Sequence, residues 1–510
     1  MDIALVLEMA ARAAPERIAV TDVRGMSVSC ADLARASGVA AVRFVESDVA
    51  RVGYLGTNGV GLPITLFGAS MSDRPFVPLN YRLSDSQLAD TLQQCGDMLV
   101  VANETERARL DRLGFDATIA AESLESIDES VESDRAFDPV DPDHPAVLLH
   151  TSGTTATPKA AVLRHRHLAA YIISTVEFAA ADRTDAALVS VPPYHIAGIS
   201  TILSNLYLGR RIVYLDPFDP ARWLDVVRDQ GVTHAMLVPT MLARIIERLD
   251  GDDAHDADVP TLRTLAYGGA PMPRPVIERA LRCFGNVGFT NAYGLTETSS
   301  TITVLGPEDH RSALADEQPR AAARLGSAGR PVPGIELAVV DDHGGPCPPG
   351  AVGHVLVRGE QVSGEYDGRP IDLEDGWFRT RDRGWLDEDG YLFIQGRVDD
   401  TIIRGGENIA PAEIEAVLIQ HPAVAQCGVV GLDDPDWGQC IGAVVVLERE
   451  GVTTPGDLRD WLRERLRSSK TPDVIEIHEA LPYTESGKLL RRVLRESLQG
   501  NPADARARAI

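Results

Sequence analysis

Lysine is nearly missing from this sequence: three of 510 residues, at positions 159, 470 and 488, although Lys and Arg together number 49. Almost every generic surface cation is therefore Arg. Each remaining Lys is a candidate for work that needs a compact point charge on a flexible stem. Positive charge is scarce overall, since 75 acidic residues give a formal net charge of −26. A body that acidic repels DNA, RNA and anionic membrane surfaces at long range, which excludes them as bulk partners. An anionic ligand must be drawn by local devices: a metal ion, loop N–H groups or a few placed cations. No uninterrupted apolar run reaches membrane-spanning length, so no integral membrane segment is expected. The six cysteines, at 30, 95, 283, 347, 427 and 440, form no CxxC pair and no cluster with His. That excludes a disulfide framework or zinc module and points to reduced thiols in the cytoplasm. Asp2 and Glu8 stand where a signal peptide carries a basic leader, so none is expected.

A chain of this length exceeds one hydrophobic core, and two or more domains are expected. Up to about residue 249, short apolar runs such as "ARVGYLGTN", "RPFVPLN" and "MLVVAN" alternate with helical patterns such as "SDSQLADTLQQC", which Ser84 caps. Strand–helix alternation predicts parallel sheets with helices on their faces. After about Gly306 the sequence becomes Gly/Pro-punctuated with short β runs, which predicts a β-rich subdomain. A further change at "GRVDDTIIRGGENIAPAEIE" predicts a hinge, followed by a compact α+β region and a frayed tail. The expected organisation is an α/β multi-domain chain: residues 1–396 as a large N-terminal domain, 397–400 as the hinge, 401–500 as a small mobile domain, and 501–510 as the tail.

"TSGTTATPKAAV", residues 151–162, follows the apolar run "AVLL". It is no Walker loop, because Pro158 removes an N–H and fixes φ where that loop needs Gly. What it offers is five hydroxyls (Thr151, Ser152, Thr154, Thr155, Thr157), Gly153, backbone N–H groups and Lys159. This set suits the mobile outer phosphates of a nucleotide.

"TSGTTATPK" resembles the phosphate loop of the adenylate-forming superfamily, which comprises acyl-CoA synthetases, luciferases and peptide-synthetase adenylation domains. The family's other signatures follow in order: "AYGGAP" with Gly268, Gly269 and Ala270; "NAYGLTET" with Asn291, Ala292, Tyr293 and Gly294; "TRDRGWLDEDGYL" with Asp382; the hinge string already quoted; and "PYTESGKLLRR" with Lys488. The resemblance spans essentially the whole chain. It implies an acid–thiol ligase that uses ATP, Mg²⁺ and CoA. Glu297 would hold Mg²⁺, Thr296 would touch the α-phosphate, and Tyr293 would stack on adenine. Asp382, helped by Arg397, would bind the ribose, and Lys488 would bridge carboxylate and α-phosphate. Asp399 would be the pivot, after which Gly405, Gly406 and Glu407 border the pantetheine channel, with Trp437 on the CoA side. His195 in "PPYHIAG" would gate the acid's approach, and Lys470 matches a "K-x-P" turn without an assigned role.

Three positions depart from the family pattern: Ala156, Ala160 and Arg381 stand where Gly is usual. Intact signatures elsewhere imply negative φ at the two alanines or a loop flexible enough to adapt, and Arg381 is expected to point to water. The pocket segment reads Tyr194-His195 with no carboxylate after the aromatic, which makes an amino acid a poor substrate. The expected substrate is an apolar acid, fatty or aromatic, and the expected acceptor is CoA. Two alternatives stay open, an acyl-AMP ligase loading a separate carrier protein and a non-catalytic nucleotide or acyl-CoA sensor. A homodimer is compatible with either.

Overall fold

The computed structural model describes residues 1–125, 137–151, 159–251, 257–315, 322–369, 373–435, 437–449, 451–484 and 488–499. Contacts divide the chain into two units, one of Met1–Leu337 with Val357–Phe378 and one of Ala338–Leu356 with Arg379–Ile510. The division does not coincide with the 396/397 boundary read from the sequence. The chain passes between units within the strands Glu336–Val340, Gly353–Arg358 and Trp377–Leu386, and 397–400 lies inside the second unit.

Among the described residues the first unit holds two large sheets. In the six-stranded one the order is Thr118–Ala120, Met98–Ala102, Arg51–Leu55, Phe76–Leu79, Pro145–Thr151 and Lys159–Arg164. The first five run parallel and only the last is antiparallel. Alternate side chains face opposite clusters, as the pleat requires: Val52, Tyr54, Leu99 and Val101 on one side, Leu55, Val77 and Val100 on the other. The predicted helix is present at Asp85–Cys95, and its entry is a full capping box between Ser84 and Gln87.

The nine-stranded sheet places Gly288–Leu295, Thr264–Gly268, His234–Leu237, Ala186–Val189, Arg211–Tyr214 and Ile18–Thr21 side by side and parallel. Antiparallel strands close its edges, Ser300–Leu305 and then Arg330–Pro331 on one side and Ser27–Ser29 on the other. Ligand-bearing turns collect at the carboxyl ends of such strands. "AYGGAP" and "NAYGLTET" both fall there, on neighbouring strands.

The second unit contains a long antiparallel pair, Val424–Asp434 with Gly438–Leu447, extended in parallel by Val474–Ile477. The helices Pro411–Leu418 and Pro455–Arg463 bury Ile414, Leu418, Leu458 and Leu462 with Val429 and Ile441. The helix Arg491–Gln499 buries Leu494 and Leu498 with Val430 and Val444. Adjacent Val429 and Val430 thus serve opposite faces, which makes this a two-sided α+β layer. No described helix is long and apolar enough to cross a membrane.

Candidate active site

The phosphate-loop string is the connection of a β hairpin. Thr151 pairs with Lys159 and His150 with Ala160, so the loop leaves and re-enters the sheet at one edge. Ser152, Gly153, Thr154, Thr155 and Ala156 lie outside the described residues, as does the Thr151 side chain. Ala160 sits in regular strand and is not among the described residues with positive φ, as expected.

Lys159 emerges beside Tyr366, with Nζ 5.8 Å from the centre of its ring. The Tyr366 hydroxyl in turn donates to Glu297 Oε1 at 2.5 Å. The segment that carries Tyr366 is stitched to the loop's return strand: Val162 N–H donates to the Glu365 carbonyl at 3.0 Å, and Asp367 N–H donates to that of Ala160 at 2.8 Å. It also holds the backbone around the acidic residue, because Ser363 N–H donates to the Glu297 carbonyl at 2.8 Å. Two residues separated by more than a hundred positions, one cation and one carboxylate, are thereby brought onto a single tyrosine.

Glu297 occupies a 3₁₀ turn, Thr296–Thr298, at the end of the strand that presents Asn291, Ala292, Tyr293 and Gly294. The turn is held from within by Thr298, whose hydroxyl receives Leu295 N–H at 3.0 Å and donates to the Ser300 carbonyl at 2.8 Å. The glycines of both adenine-type segments answer to close approach. A Cβ on Gly268 would lie 2.2 Å from the Ala292 carbonyl oxygen, and one on Gly294 would lie 1.9 Å from that of Ser300. Asn291 donates to the Ser327 carbonyl at 3.0 Å. Gly269 takes φ +83°, and Ala270 follows it at the strand end.

His195 is half-buried and begins the helix Ile196–Leu208. Its ring lies 4.7 Å from that of Tyr194, which meets Tyr81 edge-on at 5.5 Å. Ser300 donates to Ser200 at 3.1 Å, which ties this helix to the strand after Glu297.

Two supporting residues had no signal in the motif strings. His310 donates through Nδ1 to the Gly306 carbonyl at 2.7 Å, which leaves Nε2 to accept from the Tyr267 hydroxyl at 2.9 Å. Burial pushes the imidazole pKa down and so keeps it neutral, as that acceptor role requires. Asp216 accepts from Asn58 N–H at 3.1 Å and from Tyr81, and burial raises its pKa. This carboxylate is thus already engaged by two donors.

In the second unit, Asp382 and Arg397 face each other directly across an antiparallel pair. Arg397 Nε lies 3.1 Å from Asp382 Oδ1, and the carboxylate is almost fully buried. Arg381 is largely exposed to water, as expected, and makes one further contact there. It takes φ +63°, the left-handed region, and its Nη1 lies 3.5 Å from Oδ2 of Asp399. A side chain there costs roughly 1–2 kcal/mol relative to glycine, so this is the family-glycine position where the strain is found.

Gly405 and Gly406 are the two central residues of a hairpin turn between paired Arg404 and Glu407, and both have positive φ, +56° and +84°. Trp437 covers Gly405: a Cβ there would meet the indole at 2.7 Å, and Gly405 N–H donates to the Trp437 carbonyl at 2.8 Å. At 56% exposure Trp437 is no core residue. Lys470 pairs with both carboxylate oxygens of Glu413, at 2.6 and 2.7 Å, and so pins the helix Pro411–Leu418. Lys488 is exposed in a turn closed by Thr484, whose N–H donates to the Lys488 carbonyl at 2.7 Å and whose hydroxyl accepts Lys488 N–H at 2.9 Å.

Residues 7–367 match the family model for an AMP-binding enzyme, and residues 413–488 match the model for an AMP-binding enzyme C-terminal domain. The chain is 35% identical over 472 residues to the fatty acid–[acyl-carrier-protein] ligase ScoC of Streptomyces coeruleorubidus, covering 89% of this chain and 88% of that protein. It is 34% identical over 505 residues to a feruloyl-CoA synthase of Amycolatopsis sp, covering 95% and 96%. Among solved structures it resembles the O-succinylbenzoate coenzyme A synthetase of Bacillus subtilis in complex with ATP and magnesium ion. That likeness has a TM-score of 0.81 and 29% identity and covers 96% of this chain and 98% of the other.

Proposed function

This chain belongs to the AMP-binding enzyme family, and from that premise we propose that it activates an apolar carboxylic acid, fatty or aromatic, with ATP and passes the acyl group to CoA. It is an AMP-forming acid–thiol ligase. In the first half-reaction a carboxylate oxygen bonds to the α-phosphorus and the α–β phosphoanhydride breaks, releasing pyrophosphate. In the second the CoA sulfur bonds to the acyl carbon, the bond to AMP breaks and the thiol proton passes to solvent.

The first step joins two anions, so its barrier is largely electrostatic and catalysis means positioning with charge neutralisation. The observation that carries the reading is the convergence of Lys159 and Glu297 on Tyr366. Lys159 contacts the β- and γ-phosphates. The described residues contain no cluster of three or more metal-binding side chains. A lone, steadied carboxylate is the donor that suits Mg²⁺, which takes one or two carboxylates and completes its shell with substrate phosphates and water. When bound, the ion offsets charge on the departing pyrophosphate. Thr296 contacts the α-phosphate, Tyr293 stacks on adenine, and Asp382 with Arg397 receives the ribose hydroxyls. His195 and Tyr194 border the acid's approach, and Lys488 bridges the carboxylate and the α-phosphate. Rotation about the turn Val398–Asp400 then withdraws Lys488 and presents Gly405, Gly406, Glu407 and Trp437 to the pantetheine arm. The expected compartment is the cytoplasm, and sedimentation at micromolar concentration decides between monomer and homodimer.

The similarity to ScoC favours a second reading, in which the acceptor is the thiol of a separate carrier protein. Purified protein given MgATP, CoA and a panel of short, medium, long-chain and aryl acids separates the two. Pyrophosphate release with free acyl-CoA supports the first, and release without acyl-CoA supports the second. No release with any acid overturns both.

A further inference from the structure

We infer that Arg381 is a positioning residue that anchors the upstream side of the hinge turn, so that the rotation falls on the two backbone torsions that flank the planar peptide between Asp399 and Asp400. The inference rests on the two-step reading above and assigns its moving point. Asp399 and Asp400 are neighbours in one 3₁₀ turn, yet arginines from different elements hold them. Arg381 Nη1 lies 3.5 Å from Asp399 Oδ2. Arg381 directly precedes Asp382, which is locked across the strand pair to Arg397 at 3.1 Å. Asp399 is therefore tied to the strands that carry the ribose carboxylate.

Asp400 is tied elsewhere. Its Oδ2 lies 3.5 Å from Arg491 Nε, three residues beyond Lys488. Arg491 is itself clamped by Glu415, at 2.5 and 3.0 Å, and donates to the Val429 carbonyl. Asp400 thus moves with the helix Pro411–Leu418 and the helix Arg491–Gln499, the body that carries the catalytic lysine turn. With one aspartate fixed on each side, the backbone between them is left to absorb a rotation.

The two grips differ in kind. Arg491 and Glu415 are largely buried, whereas Arg381 is 57% exposed and lies in an open groove with His354, Val355, Arg379 and Val398. The Arg381 grip is therefore weak and salt-sensitive, a setting that biases a rotation without blocking it. It is also held at the cost of a left-handed backbone that glycine would take freely.

The two half-reactions are measured separately, as pyrophosphate release and as acyl transfer from supplied acyl-adenylate to CoA. Arg381→Gly and Arg381→Ala are compared with the native enzyme from about 20 to about 300 mM NaCl. Both variants should change the ratio of the two rates by about threefold at low salt and converge on the native ratio at high salt. The glycine variant should melt no lower than the native protein, which separates the effect from loss of fold. An unchanged ratio, or a change in the glycine variant alone, overturns the anchor while leaving the ligase reading intact.

Limited trypsinolysis reads the same grip without substrate. Cleavage after Arg397 should quicken severalfold in Arg381→Ala at low salt, and an unchanged cleavage rate overturns the assignment even if the enzyme's acid is never found.

Discussion

Tyr366 donates a hydrogen bond of 2.5 Å to the Glu297 carboxylate while its ring faces the Lys159 ammonium at 5.8 Å. One side chain therefore fixes the rotamer of the carboxylate proposed to hold Mg²⁺ and adds a favourable surface for the Lys159 ammonium. Tyr366→Phe keeps the ring and removes only the hydroxyl. The expected loss is about 1–2 kcal/mol of organisation at Glu297, or roughly five- to thirtyfold in the Mg²⁺ concentration needed for half-maximal pyrophosphate exchange. Titration of that exchange with Mg²⁺ checks it. An unchanged midpoint would show that Glu297 holds its place without help.

Gly294→Ala tests the close approach behind the adenine segment. The added methyl would sit 1.9 Å from a backbone oxygen of the paired strand, an atom that no side-chain movement can clear. Overpacking against backbone should cost at least about 3 kcal/mol and abolish binding of a fluorescent ATP analogue. Gly326→Ala is the control, since nothing lies within 4 Å of its added Cβ. A Gly294 variant that melts and binds like the control would mean that these strands can part.

The elements whose pattern is local could be read before any coordinates. Strings such as "RPFVPLN" and "MLVVAN" became the strands Phe76–Leu79 and Met98–Ala102, because a parallel core strand must be apolar on both faces. Ser84 could be named as a cap from its position alone. The residues that sequence reasoning missed act across distance. Tyr366 reaches Glu297 over 69 positions and His310 reaches Tyr267 over 43, so no window of sequence contains either pair. Arg381 is exposed as expected, and what the sequence lacked was its contact with Asp399. Its departure from glycine was visible, but the direction of a side chain on a left-handed backbone depends on the strand pair that holds it. Gly405 and Gly406 answer to a local cause of their own, since a two-residue turn needs positive φ at both.

Lys488→Ala separates the half-reactions. On the proposed mechanism the ammonium is needed where carboxylate and α-phosphate meet and has no part once the acyl-adenylate exists. Pyrophosphate release should fall at least about a hundredfold, the scale for removing one preorganised charge at a transition state. Acyl transfer to CoA from supplied acyl-adenylate should stay within about threefold of the native rate. Equal loss in both would remove the assignment of Lys488 to the first step.

Acid should destabilise the first unit through two buried histidines. His165 accepts Ile3 N–H at Nδ1 (3.1 Å) and His167 accepts Arg164 N–H at Nδ1 (3.3 Å), so both imidazoles are neutral in the fold. Burial pushes both down to about 4 from an ordinary 6.5. Because the folded pKa values lie below the unfolded ones, the unfolded chain binds more protons between those limits. The stability from keeping each ring neutral is complete above about pH 6.5 and is lost as pH falls toward 4, at up to ~1.4 kcal/mol per pH unit for each histidine. Thermal melts from pH 7.5 down to pH 5 should show the midpoint falling by several degrees. In His165→Asn the amide oxygen can still accept the Ile3 N–H but cannot protonate, so its midpoint should depend less steeply on pH even if it starts lower. A native profile that is flat to pH 5 would mean that these two rings are reached by water, and the argument from burial would go with it.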